Sequence, residues 1–528
     1  KWKARERLAT GTKLSQEAFE PGTDPRKAAQ RARENLRVVD PPRSRRKGPG
    51  AHEPSVTQGQ GDDSSELWFA RQFVLEHGSD VRYVGAWKSW MVWDDADGRW
   101  HKDDSQAVMR LAKRTSDGIL DGAMALLREA RGQDGTDALA KASLRVKVAK
   151  RYRDARPLEH ALRLAQSEEA VVADPDQWDS APWILNAKNG IVDLRTGELL
   201  PHRRDAYCTK SVAADYDPEA VAPLWDAFLP QILPDPEVLS FVHRAVGYAA
   251  TGDPCEHVAL FMIGRGANGK STLLETVMKV LDGYAVTAPR SVLMESKGGN
   301  NEVYSLATLH GARLAFINET AKRGRLNDEQ FKAITGGDSI SARRSHENFF
   351  AFDPTHTLIV RTQYAPVVRD PSDGMWRRLR LVKFTQKFTE KDGNRDGALP
   401  KKLKKEFPGI LKWIVDGARL YARDGELKTP EHVEADTFRY RMESDFLTAF
   451  LAERVVAADG AFLPSADAYD AFRAWAKGDD IDDHKIPGRR TVIAGLKEMG
   501  YEYMVKGGHT RGFDGLALRD SGYLPGAQ

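Results

Sequence analysis

One nine-residue segment constrains the fold of this chain more than any other part of it. The sequence GRGANGKST occupies residues 264–272, follows an apolar run at 258–263 and precedes a helix-like stretch at 273–281. A G-x-x-x-x-G-K-[ST] motif between a strand and a helix is typical of a phosphate-binding loop, because glycines let backbone N–H groups turn toward phosphate oxygens. The segment therefore predicts an α/β domain that binds a nucleoside triphosphate. A chance glycine-rich turn before a helix is the alternative interpretation.

The residues of this segment have separate expected roles. Lys270 places a positive charge at the β- and γ-phosphates, and the Ser271 hydroxyl is of the kind that binds Mg²⁺. ATP and Mg²⁺ are thus the expected cofactors. The other residues expected to line the nucleotide are Gly264, Gly266, Asn268, Gly269 and Thr272.

Composition limits the class of protein. A chain of 528 residues with 41% hydrophobic residues predicts three or four globular domains. No run of about eighteen apolar residues and no signal peptide is visible, so we expect no membrane partner and a cytoplasmic location. The net charge of +3 means that any nucleic-acid surface must be local. Two cysteines are too few for a disulfide framework or a zinc site.

Changes of pattern along the chain predict five regions. Residues 1–62 are basic and lack apolar periodicity, which predicts a flexible linker or tail that either contacts DNA phosphates or is simply solvated. Because the first residue is Lys1, we expect further residues upstream. The other regions are a mixed α+β and helical domain at 63–222, the phosphate-loop domain at 223–400, a helical connector at 401–443 and a terminal domain at 444–528.

Local patterns add detail within these regions. In the first domain we predict a hairpin at 83–100, helices over 107–169 and two short strands at 183–199, and one helical stretch then covers 224–252. The hairpin tryptophans predict core packing or, alternatively, base stacking; they are Trp87, Trp90, Trp93 and Trp100. Three helices and a closing hairpin in the last domain suggest a winged helix, with a helical cap that binds nothing as the alternative.

Two further apolar strands end in polar residues. The strand at 311–317 is followed by Asn318 and Glu319, about forty residues after the loop, where an ATPase needs its second motif. Glu319 is the candidate that polarises the attacking water, and Asn318 is a weak candidate Mg²⁺ ligand; a solvated Glu at a strand end is the alternative. A third strand at 355–360 leads to the amide of Gln363, and an arginine cluster follows at 377–380.

The order of these motifs resembles a known family. Segments at 191–198, 264–272, 318–320, 335–338, 341–344 and 376–378 are similar to the helicase part of phage and plasmid primase-helicases related to the poxvirus primase-helicase, a superfamily 3 group. The resemblance covers roughly residues 66–520. It implies an AAA-like phosphate-loop ATPase core, an N-terminal collar-like domain and a C-terminal winged-helix-like domain.

The resemblance also implies an assembly. ATP would lie between subunits of a homohexameric ring, single-stranded DNA would pass through the channel, and Arg377 or Arg378 would reach the γ-phosphate bound by a neighbour. Gln363 stands where the family has a polar sensor, usually Asn. The hairpin at 343–347 would hold DNA; a solvated hairpin tip is the alternative interpretation. The candidate DNA-binding residues are Lys332, Arg343, Arg344 and His346.

Two functions follow from these expectations. The first is an ATP-dependent, ring-forming DNA helicase of phage, prophage or plasmid replication, for which the family supplies the 3′ to 5′ direction and a primase or primase-polymerase domain upstream. The alternative is a DNA-binding or loading factor that uses ATP as a switch without unwinding. Asn318 and Gln363 favour the alternative, because binding needs Lys270 whereas turnover needs a complete catalytic set.

Overall fold

The chain divides into two units, Lys1–Asp62 and Asp63–Gln528. The predicted basic tail at 1–62 lies outside the residues that the computed structural model describes, and so do Glu319 and His346. The described residues are 65–132, 136–295, 301–318, 324–345, 347–368, 370, 372–389, 391, 396–478 and 486–519.

The first part of the described chain combines helices with a small antiparallel sheet. The predicted hairpin is a three-stranded meander with the strand order β1-β2-β3. The elements are α1 (Glu66–His77), β1 (Val81–Val84), β2 (Ser89–Asp94), β3 (Arg99–Lys102), α2 (Ala107–Arg131), α3 (Thr136–Arg151) and α4 (Ala155–Ala165).

The tryptophans of the meander belong mainly to the core. Trp93 is 8% exposed, Trp100 is 1% exposed, and the two rings meet edge to face at 5.6 Å between centroids. Trp87 alone is substantially exposed, at 43%, and its ring lies 5.8 Å from that of Trp178. The core-packing interpretation is therefore confirmed for Trp93 and Trp100, which pack with Val84, Met91 and Trp178 on one face of the meander.

One sequence prediction in the next segment needs correction. The segment at 183–199 forms three strands where two were predicted: β4 (Ile184–Ala187), β5 (Gly190–Asp193) and β6 (Glu198–Leu200). The predicted helical stretch at 224–252 is confirmed and consists of two helices, α5 (Pro223–Ile232) and α6 (Pro236–Thr251). The second helix starts anew because the Asp235 carboxylate accepts hydrogen bonds from the first backbone N–H groups of α6.

The central part is built on a five-stranded parallel sheet with the order β13-β7-β12-β9-β8. The strands β10 and β11 form an antiparallel hairpin that is separate from this sheet; in the chain it follows α9 and precedes β12. The elements are β7 (Ala259–Ile263), α7 (Lys270–Leu281), β8 (Ala285–Ala288), α8 (Asn301–Leu306), β9 (Leu314–Asn318), α9 (Asp328–Thr335), β10 (Ile340–Arg343), β11 (Phe349–Phe352), β12 (Thr357–Thr362), α10 (Asp373–Trp376) and β13 (Leu379–Lys383).

Both faces of this sheet are buried, which explains the near-continuous apolar strands of the sequence. Leu260 and Met262 pack on the face that also receives α7, whereas Ala259 and Phe261 pack on the opposite face. The predicted α/β fold is confirmed at the level of a parallel sheet combined with helical regions. All four parallel pairings place the strand ends in register, so the loops that follow β7, β9 and β12 meet at one edge.

The remaining chain is helical and ends in a second small sheet. Helix α13 runs without a break through the predicted boundary between residues 443 and 444, and an unpredicted strand, β14, completes an antiparallel sheet with the order β14-β16-β15. None of the described helices is long and apolar enough to cross a membrane. The elements are α11 (Leu399–Leu403), α12 (Phe407–Asp424), α13 (Glu431–Arg454), β14 (Val455–Pro464), α14 (Ser465–Gly478), α15 (Arg489–Glu498), β15 (Tyr503–Lys506) and β16 (Thr510–Leu518).

Candidate nucleotide-binding site

The 264–272 loop joins the carboxyl end of β7 to the first turn of α7, as the sequence predicts. Gly266 and Gly269 have φ angles of +85° and +84°, a left-handed conformation that favours glycine. Gly264 is required for a different reason. A Cβ there would lie 2.3 Å from Asn268 Nδ2 and 2.5 Å from the Phe384 carbonyl oxygen. The loop therefore needs its glycines for both conformation and close packing.

Lys270 is the first residue of α7 and is only 4% exposed. Its Nζ donates to the Gly264 carbonyl at 2.6 Å and to Asn268 Oδ1 at 2.9 Å. Asn268 in turn donates from Nδ2 to the Phe384 carbonyl at 3.3 Å. Burial, with a smaller contribution from Arg361, lowers the pKa of Lys270 to about 8. A buried cation beside a second cation fits a phosphate group, because an anion would offset both the burial and the repulsion.

Lys270 lines a cavity of about 610 Å³. Side chains of α5, including Phe228, and the first residues of α11 also line it. The cavity thus combines phosphate-binding groups with apolar surface, and its volume suits a nucleotide. The predicted residues that line it are Gly264, Gly266, Asn268, Gly269, Lys270, Ser271, Thr272 and Gln363.

One lining residue escaped the sequence analysis. Arg361 lies in β12, two residues before Gln363, and its guanidinium is 3.3 Å from Glu275 Oε1 of α7. A charged residue directly after the apolar run at 358–360, within the same strand, was the available signal. Arg361 adds a second positive charge to the cavity that Lys270 faces.

The predicted metal-binding residues occupy different positions. Ser271 lines the cavity, whereas Asn318 is exposed at the end of β9, beside Arg361 in the register of the neighbouring strand. Asn318 is not among the described residues that line the cavity. Hydroxyl and amide oxygens are ligands that suit Mg²⁺. Ser271 therefore fits the expected metal from within the cavity, and Asn318 offers an amide oxygen at the same edge of the sheet, outside the cavity lining.

The two candidate arginines lie at the opposite edge of the sheet. The Arg378 carbonyl accepts from the Ala259 backbone N–H at 2.8 Å, at the start of β7, while the loop follows the end of that strand. Five strand residues separate these edges by roughly 16 Å. The Arg378 guanidinium is half-buried and donates to the Gly374 carbonyl, and burial lowers its pKa; Arg377 is exposed. Neither arginine therefore serves the cavity of its own chain.

The candidate DNA-binding residues are divided between a helix and the β10-β11 hairpin. Lys332 of α9 forms an ion pair with Asp370, with Nζ 2.7 Å from Oδ2, and this contact lowers the pKa of Asp370 to about 2. On the hairpin, the Arg343 guanidinium lies over the exposed Phe349 ring, and that of Arg344 lies over Phe350. Arg344 is exposed and lies 3.7 Å from the Glu347 carboxylate, and the half-buried Arg343 donates to the Glu347 carbonyl at 2.8 Å. Arg344 and Lys332 thus each have an acidic partner.

Two family models match parts of the chain. One described as "D5 N terminal like" matches residues 70–234, and one described as "Family of unknown function (DUF5906)" matches residues 262–378. The second match includes the 264–272 loop and extends to Arg378. Together with the viral relatives described next, these matches confirm the predicted resemblance to primase-helicase-like proteins of the poxvirus group.

Curated relatives occur in large DNA viruses. "Putative helicase L207/L206" of Acanthamoeba polyphaga mimivirus is 26% identical over 322 residues, which cover 57% of this chain and 33% of the relative. "Putative helicase 121R" of Invertebrate iridescent virus 3 is 26% identical over 337 residues, covering 57% and 35%. "Putative primase C962R" of African swine fever virus (strain Badajoz 1971 Vero-adapted) is 25% identical over 303 residues, covering 53% and 31%. In each case the match spans about a third of the relative's length.

Among solved structures, the A-form apo structure of the NrS-1 C-terminal region aligns with 86% of this chain and 100% of that chain. The TM-score is 0.41 and the sequence identity is 10%. A similarity of that size carries no argument about this protein.

Proposed function

We propose that this chain is an ATP-dependent, ring-forming DNA helicase that acts in DNA replication with 3′ to 5′ polarity, as the helicase part of a primase-helicase. The observation that carries the proposal is the buried ammonium of Lys270, held by a glycine-rich loop at the carboxyl edge of a parallel sheet and facing a cavity of about 610 Å³. The relatives named helicase and primase support a replication role of this type.

The nucleotide site would work mainly through charge and position. Lys270 would exchange its contacts with the Gly264 carbonyl and Asn268 for phosphate oxygens, and Ser271 would hold Mg²⁺, which would supply positive charge to offset that of the phosphates. Gln363 would orient a water that attacks the γ-phosphorus, and Glu319 would polarise this water and accept its proton. As the new bond to the water oxygen forms, the bond to the β–γ bridging oxygen breaks, and ADP leaves with that electron pair.

A second copy of the chain would complete the site. Arg377 is exposed at the sheet edge opposite the loop, where a side chain can serve only a neighbouring subunit. An arginine supplied in this way stabilises charge that develops on the phosphoryl oxygens. We assign this role to Arg377 in preference to Arg378, because the Arg378 guanidinium is already bound to the Gly374 carbonyl. A homohexameric ring satisfies this geometry.

DNA would be held by charge and not by base recognition. Arg343 and Arg344 on the β10-β11 hairpin offer donors for phosphate oxygens, which give binding without sequence preference. The helices α13, α14 and α15 with the β14-β16-β15 sheet suit a winged-helix module that would add a second DNA contact.

The test is ATP turnover by the purified protein with and without single-stranded DNA. We expect turnover that rises with DNA and is lost in Lys270→Ala and in Arg377→Ala, with nucleotide binding lost only in the first. Lys279→Ala, which removes an exposed lysine of the same helix, is the matched control and should behave as the wild type. Nucleotide binding without DNA-stimulated turnover would overturn the helicase proposal.

A DNA-binding or loading factor switched by ATP is the second candidate. The neutral Asn318 at the end of β9, where an acid usually helps to hold Mg²⁺, favours it. The substitution Glu319→Gln separates the two functions. A helicase should retain ATP but lose unwinding, whereas a binding factor should keep ATP-dependent DNA retention almost unchanged.

A further inference from the structure

A second cavity, of about 440 Å³, lies on the other side of the 264–272 loop. Leu381 of β13 and Tyr440 of α13 line it, and both belong to the core on the sheet face away from α7. The nucleotide cavity instead borders Phe228, which packs on the α7 side. Gly264, Gly266, Asn268 and Gln363 line both cavities, so the loop forms the wall between them.

The charged groups of this second cavity are unbalanced. Apart from Lys387, which has an interaction of its own, its described lining contains three cations and one acid: Arg265, Lys383 and Arg439 against Asp436. Lys383 and Arg439 share that carboxylate, with nitrogen-to-Oδ1 distances of 2.9 Å and 3.3 Å. Cations that line one cavity repel one another, and an anion bound among them removes that cost.

The cations come from separate elements, which gives the cavity a defined shape. Arg265 belongs to the loop, Lys383 ends β13, and Arg439 lies on α13. Arg265 and Arg439 both line the cavity, and a guanidinium group can donate paired hydrogen bonds to a tetrahedral anion such as phosphate. Gln363, at the junction of the two cavities, adds an amide that faces the same space.

We propose that this second cavity binds inorganic phosphate after it is cleaved from the nucleotide. The proposal rests on the proposed function, because it takes the phosphate from ATP held by the same loop. The phosphate would pass Gln363 and leave on the α13 side of the sheet, without passing the nucleoside end of the nucleotide cavity. Its bound state is held by Arg265 and Arg439.

The test uses the full chain saturated with Mg²⁺ and a non-hydrolysable ATP analogue, so that the nucleotide cavity is filled. Inorganic phosphate is then titrated and followed by ³¹P NMR line width. We expect saturable binding that weakens about tenfold in Arg439→Gln and in Arg265→Gln, since each loses charge-assisted hydrogen bonds. Arg441→Gln is the matched control, because Arg441 lies two residues further along α13 and pairs with Asp373 at 2.7 Å.

The outcomes are separable. The absence of saturable binding in the wild type, or an equal loss in Arg439→Gln and Arg441→Gln, would overturn the phosphate site. Displacement of phosphate by a single-stranded oligonucleotide, at a site that Arg439→Gln removes, would assign the cavity to nucleic acid instead. Affinity for the ATP analogue is measured separately. If the analogue does not bind, the proposed function fails. Phosphate binding at the second cavity is then measured by titrating the nucleotide-free protein and comparing the same variants.

Discussion

At the scale of single residues, the charged ammonium of Lys270 is the central functional group of the candidate site. Its ammonium is buried, it has only the Gly264 carbonyl and the Asn268 amide as hydrogen-bond acceptors among the described residues, and Arg361 stands nearby. The protein keeps this charge without a full counter-charge. A polyanion is therefore the expected ligand, because its negative charge replaces the stabilisation by water that the Lys270 ammonium loses on burial.

The lowered pKa of Lys270, about 8, predicts a pH dependence of nucleotide binding. Between pH 7 and 9 the free protein loses the Lys270 proton, whereas the phosphate-bound form retains it, so affinity for ATP should fall as pH rises through about 8. Binding near pH 8 should take up protons, which calorimetry in buffers of different ionisation enthalpy detects. Lys270→Arg, which stays charged, should show a flatter profile; equal slopes in both proteins would contradict the assignment.

At the scale of elements, two helices cross unusually closely beneath the candidate site. A Cβ at Gly247 of α6 would lie 2.0 Å from the Ala418 backbone nitrogen, and one at Gly417 of α12 would lie 2.4 Å from the His243 carbonyl oxygen. Both helices contribute to the core that supports α7 and its face of the parallel sheet. Glycine at the crossing thus lets the backbones touch.

Two glycine-to-alanine substitutions in helices, one at this crossing and one in open space, should have opposite effects on the free energy of unfolding. Gly247→Ala should lower the free energy of unfolding by about 2–3 kcal/mol, because the new methyl group meets backbone that cannot move aside. Gly118→Ala, in α2, places its methyl group in open space and should raise that free energy by about 0.5–1 kcal/mol through helix propensity. Denaturant unfolding of both variants measures the difference, and a neutral Gly247→Ala would contradict close packing of α6 and α12.

At the scale of the whole molecule, the main fact is the separation of Lys270 and Arg377. They lie at opposite edges of one sheet, so a single chain cannot bring them together. A head-to-tail arrangement of copies joins the two edges, and such heterologous contacts close into rings when the rotation allows.

This arrangement predicts complementation between inactive proteins. Lys270→Ala and Arg377→Ala should each lack DNA-stimulated turnover, but an equal mixture should recover about a quarter of the wild-type sites, because random assembly pairs an intact Lys270 with an intact Arg377 at that frequency. Turnover is measured after co-assembly. A mixture of Lys270→Ala with the double variant is the control and should stay inactive. An inactive test mixture would contradict a shared site.

Much of the site could be predicted from sequence because its signals are local. The loop at 264–272 carries its own turn, lysine and hydroxyl, and its flanks carry a strand and a helix, so the observed β7 and α7 needed no long-range information. The same holds for the hairpin at 340–352, whose strands lie close together in the chain. Arg361 was missed because its position in an apolar strand says nothing about which cavity its side chain lines.

The sequence alone therefore determined that a glycine-rich, lysine-bearing turn follows a buried strand, since backbone conformation and residue chemistry act over a few residues. Only the tertiary structure decided which distant residues share a cavity with it. The strand order β13-β7-β12 pairs Ala259 of β7 with Leu358 and Leu379, about one hundred residues further along the chain, and this pairing places Gln363 at the loop edge and Arg377 at the opposite edge. The tertiary structure also brings α13 beside the loop, where α13 and β13 line the second cavity. Contacts of this kind depend on the whole chain, because distant elements bury both faces of a parallel sheet.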